Sequence, residues 1–75
     1  MKYRIKLSPA DVKSFVAAAT RCDCDIDVAT NNHNAVDAKS ILGVLGLDLT
    51  MCLNVTVQGY DEEFETYLRS YAVAC

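Results

Sequence analysis

Three stretches of this chain alternate apolar and polar residues with a period of two, and each keeps one face wet. Tyr3, Ile5 and Leu7 alternate with Lys2, Arg4 and Lys6, and Cys22, Cys24, Ile26 and Val28 alternate with Asp23, Asp25 and Asp27. A short run around Ala35 to Ala38 follows, then Met51, Leu53, Val55 and Val57 between Cys52, Asn54, Thr56 and Gln58. Strands of a parallel sheet are buried on both faces and read as continuous apolar runs, so these strands belong to an antiparallel sheet covered on one side only.

What covers it is written between the strands. At Ser8-Pro9-Ala10-Asp11 the period changes: Ser8 suits an N-cap, Pro9 the first helical position, and Asp11 the positive end of the helix dipole. Val12, Phe15, Val16 and Ala19 then recur at i, i+3, i+4 and i+7, one apolar stripe. Asn31-Asn32-His33-Asn34 reads as a hairpin turn, with His33 a solvated turn residue. Ser40 precedes Ile41-Leu42-Gly43-Val44-Leu45-Gly46-Leu47, which predicts a short helix of about two turns ending near Gly46. Gly59 ends the fourth strand, and Asp61 caps a last helix buried through Phe64, Tyr67, Leu68 and Tyr71. The order β-α-β-β-α-β-α gives an α+β, two-layer open-faced sandwich.

With 75 residues the chain has room for one domain, spanning 1–75. A net charge of −3 makes nucleic acid and an anionic membrane poor partners and points to proteins or small molecules. No apolar run approaches the roughly 20 residues of a membrane span, and the N-terminus alternates where a signal peptide would be continuously apolar. A cytoplasmic location is expected. The C-x-C spacing of Cys22 and Cys24, with Cys52 and Cys75 and no export signal, is expected to leave free thiols. A metal cluster of Cys22, Cys24, Cys52 and His33 lacks zinc-site spacing, with Cys52 expected on the opposite face; buried small hydrophobes are the better reading of the cysteines. No cofactor is implied.

The segment Val36-Asp37-Ala38-Lys39-Ser40-Ile41-Leu42-Gly43-Val44-Leu45-Gly46-Leu47 resembles the second-helix signature of HPr, the small histidine phosphocarrier family of the bacterial phosphoenolpyruvate-dependent sugar phosphotransferase system. Gly59-Tyr60-Asp61-Glu62-Glu63 resembles that family's entry into its last helix. The resemblance implies sheet order 1-4-2-3 with three helices on one face. It also implies a phosphate-accepting histidine, in a Gly-x-His-Ala-Arg-Pro type of motif, just after the first strand. Here that stretch is Lys6-Leu7-Ser8-Pro9-Ala10-Asp11-Val12, with neither histidine nor arginine. Counting back from Ser40 puts Pro9 at the histidine position; aligning the buried residues of the second strand puts Ser8 there. Neither side chain can form a phosphoimidazole, and Asp11 sits where an arriving phosphoryl group wants a cation. No catalytic residue is assigned.

The same resemblance makes Ser40 the match of the serine that an ATP-dependent kinase modifies in HPr of many Gram-positive bacteria. From the residues alone, Ser40 is an N-cap, and the two roles are compatible, because a phosphate gains from the helix dipole. Ile41, Leu42 and Leu45, flanked by Lys39, match positions through which the family's helices dock their partners. They could equally pack beneath neighbouring loops or form a dimer contact. The outer face of the sheet is expected to run from basic Lys2, Arg4 and Lys6 through neutral Asn54 and Thr56 to acidic Asp23, Asp25 and Asp27.

These readings converge on a non-catalytic HPr-like module that works by being bound through its second helix. Its expected partners are phosphotransferase-system enzymes, an HPr kinase or a transcription regulator, and its expected state a monomer or weak homodimer. Two alternatives stand beside it: a working phosphocarrier with His33 or another atypical acceptor, and a structural module dimerising through the Ile41 to Leu47 patch.

Overall fold

A computed structural model describes residues 2–31 and 33–71, with His33 described by its backbone alone. Strand β1 (Lys2–Ile5) leads through a single 3₁₀ turn (Pro9–Asp11) into α1 (Val12–Arg21). The hairpin β2 (Asp25–Thr30) and β3 (His33–Asp37) precedes α2 (Ile41–Leu45), and β4 (Leu53–Gln58) precedes α3 (Glu62–Arg69). The strands form one antiparallel sheet in the order β1-β4-β2-β3, as expected.

The two longer helices turn their predicted stripes to that sheet, although Tyr67 and Tyr71, expected in the buried stripe of the last helix, are only half-buried. Val12, Phe15, Val16, Ala18 and Ala19 of α1 and Phe64 and Leu68 of α3 meet Ile5, Ile26, Val28, Leu53, Val55 and Val57 from the strands. Phe15 is fully buried, and its ring lies 6.1 Å from that of Phe64, tilted by 51°. The ring contacts extend along α3 and just past its end, with Tyr67 6.2 Å from Phe64 and Tyr71 5.1 Å from Tyr67.

β1 is tied to α3 by polar contacts as well. The Tyr3 hydroxyl donates to Glu65 Oε1 at 2.8 Å, and Arg69 Nη2 donates to the same oxygen at 2.9 Å. Tyr3 first, and then Arg69, hold the Glu65 carboxyl below its usual range. A carboxyl whose folded pKa is depressed contributes stability that is full above its unfolded value of about 4.3 and is lost as the pH falls through the folded value. The urea midpoint is therefore expected to stay flat down to about pH 5 and to fall below about pH 4, with a shallower fall in Glu65→Gln. Identical acid limbs in the two proteins would remove Glu65 from the account.

Three expectations are corrected. Cys22 and Cys24 do not begin the second strand, which starts at Asp25. Cys22 ends α1, its N–H bonded to the Ala19 carbonyl at 3.1 Å, and the chain bends at positions 23 and 24. Turning from helix to sheet takes these residues, whatever their polarity pattern. His33 does not sit in the turn but opens β3 opposite Thr30, because the strands stay paired up to the end of the hairpin across a register shift after Val28. Cys52 is not a free thiol but is disulfide-bonded; spatial proximity decides pairing, and the spacing of cysteines along the chain does not encode it. Cys22 and Cys24 are free. Cys22 belongs to the core, where burial pushes its thiol pKa up. Cys75 lies outside the described residues.

Candidate functional site

Two places carry the residues singled out in the sequence. The first is the exit from β1. Ser8 is extended, with φ −87° and ψ 162°, and Pro9 opens the 3₁₀ turn. Asp11 reaches back across that turn: its Oδ2 accepts from the Ser8 N–H at 3.0 Å and from the Ser8 hydroxyl at 2.9 Å. One carboxylate oxygen thus occupies the Ser8 amide and holds the Ser8 side chain as a donor. The helix entry has an internal anion where an incoming one would dock.

A shallow groove lies beside this turn, lined by Lys6, Leu7, Ser8, Pro9, Leu49 and Thr50. Its far wall comes from the loop after α2, a contribution that no local sequence pattern announces. Asp48 builds that loop by accepting from the Thr50 hydroxyl at 2.6 Å and from the Thr50 N–H at 3.0 Å. Both bonds, the hydroxyl first, hold the Asp48 carboxyl below the ordinary carboxylate range. Lys6 is the one cation in the groove lining. The backbone of His33 stands at the opposite edge of the sheet, three strand spacings from β1, or about 14 Å.

The second place is α2. Ser40 caps it as the sequence predicts, its Oγ accepting from the Gly43 N–H at 3.1 Å. A Cβ at position 43 would lie 3.2 Å from Ser40 Oγ and 3.4 Å from Val36 Cβ, so glycine there lets the cap close. Lys39 precedes the cap, its N–H bonded to Asp37 Oδ1 at 2.9 Å. The apolar run divides by helical position. Val44 is fully buried and Leu47 nearly so, whereas Ile41 is 40% exposed, Leu42 80% and Leu45 47%. Leu42 and Leu45 therefore do not pack beneath neighbouring loops. They form an aliphatic surface with Ile41, directly beside Ser40 and Lys39.

An open four-stranded antiparallel sheet with three helices on one face, and a short serine-capped second helix with exposed leucines, define a class of small two-layer α+β domains. A family model described as "PTS HPr component phosphorylation site" matches residues 7–68. The chain belongs to the HPr family, and so is related to the phosphotransferase system. Among solved structures it is similar to the phosphocarrier protein HPr from Bacillus anthracis, with 28% identity, a TM-score of 0.70, and 97% of this chain and 96% of that one covered. HPr-C-His from Thermoanaerobacter tengcongensis is similar at 26% identity and a TM-score of 0.70, over 93% of this chain and 85% of that one. Crh, the catabolite repression containing protein of Bacillus subtilis, solved as an intertwined, swapped dimer, shares the fold at 23% identity and a TM-score of 0.64, over 95% and 88%. No curated protein matches the chain. Among the described residues, no helix is long and apolar enough to cross a membrane.

Proposed function

We propose that this HPr-family chain does not carry phosphate on histidine and does not itself catalyse a reaction. It serves as a protein-binding module, engaged through Lys39, Ile41, Leu42 and Leu45 and regulated by phosphorylation of Ser40. The observation that carries the reading is the bond of Asp11 to Ser8. A phosphoryl relay at the end of β1 needs an imidazole nucleophile, free amides and nearby positive charge. The stretch Lys6 to Val12 holds no histidine, its first amide is taken by a carboxylate, and that carboxylate repels a dianionic donor. A serine phosphoester at Ser8 would be too unreactive a donor for a fast relay.

The surface of α2 supports the binding role, since aliphatic side chains left exposed beside a cation are what a helix offers to a partner's groove. The partners that fit are phosphotransferase-system enzymes, an HPr kinase or a transcription regulator that recognises the HPr fold. Incubated with labelled phosphoenolpyruvate and the first enzyme of the phosphotransferase system, the protein is expected to take up no acid-labile label, while an authentic HPr in the same tube is labelled fully. Stoichiometric acid-labile label on this chain, lost in His33→Ala, would overturn the reading in favour of an atypical acceptor.

A further inference from the structure

The sheet face turned away from the helices has its charges sorted by strand. β1 presents Lys2 and Arg4, and Lys6 continues the same alternation just beyond it; all three are exposed. β4 presents Asn54, Thr56 and Gln58, which carry no charge. β2 presents Asp25 and Asp27 and β3 presents Asp37, again all exposed. Asp23, assigned to this face from alternation, lies in the bend before β2, and Asp37 joins the acidic side instead. The register sets these residues in rows: Lys2, Thr56, Asp27 and Asp37 lie on one line across the sheet, and Arg4, Asn54 and Ala29 on the next. Asp27 and Asp37 stand directly opposite each other, a like-charge pairing that costs the isolated fold stability.

Among the described residues the face therefore carries three charges of each sign, positive at the β1 edge and negative at the β2–β3 edge. The chain's net charge of −3 resides on the rest of the surface. Such a face is complementary to itself under one operation. A two-fold axis running parallel to the strands stacks two sheets face to face with β1 of one copy over β3 of the other, and Lys2 meets Asp37 at both edges. A two-fold axis running across the strands would put β1 over β1 and like charge over like. We propose that this face binds a second copy of the same chain, stacked about the axis parallel to the strands. Four strands at about 4.8 Å spacing and six residues at about 3.3 Å give each copy roughly 400 Å² of contact, in the range of weak, transient association. Each Asp27–Asp37 pair gains an opposing cation in the complex.

The test is sedimentation equilibrium of the full chain at concentrations up to about 1 mM, in low salt and in about 0.5 M NaCl, where exposed charges are screened within a few ångströms. Self-association is expected in low salt and about tenfold weaker in high salt. Two charge-reversed variants complete it: Lys2→Glu with Arg4→Glu, and Asp25→Lys with Asp27→Lys. Asp37 is left in place because it holds the Lys39 N–H. All four substituted positions are exposed, and circular dichroism checks that each variant folds. Each variant alone is expected to be monomeric; the equimolar mixture keeps one edge at which Lys2 meets Asp37 and is expected to associate more tightly than either variant and less tightly than the parent. A strictly monomeric parent in low salt overturns the proposal. So does a mixture that associates no more than either variant alone, or a dimer that survives salt and both reversals and is lost in Leu42→Asp. The last outcome would place the contact on α2.

Discussion

Phe15→Ala is expected to lower the melting temperature by roughly 15 °C or more and to leave a substantial unfolded fraction at physiological temperature. Removing a fully buried phenylalanine costs about 3–5 kcal/mol, because the lost transfer energy is joined by the energy of the cavity left behind. A domain of this length has about 4–11 kcal/mol in total, from roughly 0.05–0.15 kcal/mol per residue. In so small a protein each kcal/mol moves the melting temperature by about 4–8 °C. The site has little means of closing the cavity. Phe15 lies where α1 crosses onto α3, against Phe64, and the sheet beneath is fixed by its own ladders. Leucine at the same position keeps most of the volume and should lose much less. Thermal melts followed by circular dichroism decide the matter; a fall below about 5 °C in Phe15→Ala would mean that the helix layer repacks freely.

Legibility in the sequence follows the range of the interaction. The caps at Ser40 and Asp61 were readable because each is a short-range bond: Ser40 to the Gly43 N–H and Asp61 to the Phe64 N–H, three residues on. Three of the strands are readable because a single wet face imposes alternation along them, and the remaining one, β3, because a turn precedes it. The same alternation misled at Cys22 and Cys24, where a helix ends and the chain must reverse before pairing begins. Sequence strand order and outer-face charge needed the HPr resemblance, and the row containing Lys2, Asp27 and Asp37 needed the register, which joins residues far apart in the chain.

The site was legible in type but not in its wiring. Asp11 reads from the sequence as a favourable charge at a helix start. Its double acceptance from Ser8 depends on the 3₁₀ geometry of Pro9–Asp11. Likewise, exposure at α2 follows from arithmetic, since five residues cannot bury an entire apolar run on one sheet. Which of them face water is decided by helical position: Val44 turns inward while Leu42 stands 80% exposed. Leu49 and Thr50, which close the groove beside Ser8, carried no local signal, because a loop's packing partner is set by the tertiary fold.

With ATP and an HPr kinase, the parent protein is expected to accept one acid-stable phosphate and Ser40→Ala none. The geometry separates this outcome from a simple loss of structure. Ser40 is exposed, and its hydroxyl oxygen accepts from Gly43, so phosphorylation leaves an oxygen beside that amide while adding about two negative charges next to Lys39. The modified side chain gains from the amides and dipole of the helix start. The alanine variant loses the cap, at a cost of about 0.5–2 kcal/mol, and should melt several degrees lower while remaining folded. A Ser40→Gly variant, which loses only a few tenths of a kcal/mol of capping, should be equally devoid of label at nearly the parent's stability. If either variant takes up as much phosphate as the parent, Ser40 is not the target. The exposed Ile41, Leu42 and Leu45 would then act without the charge switch, because the phosphate would have been placed away from the one cap that adjoins them.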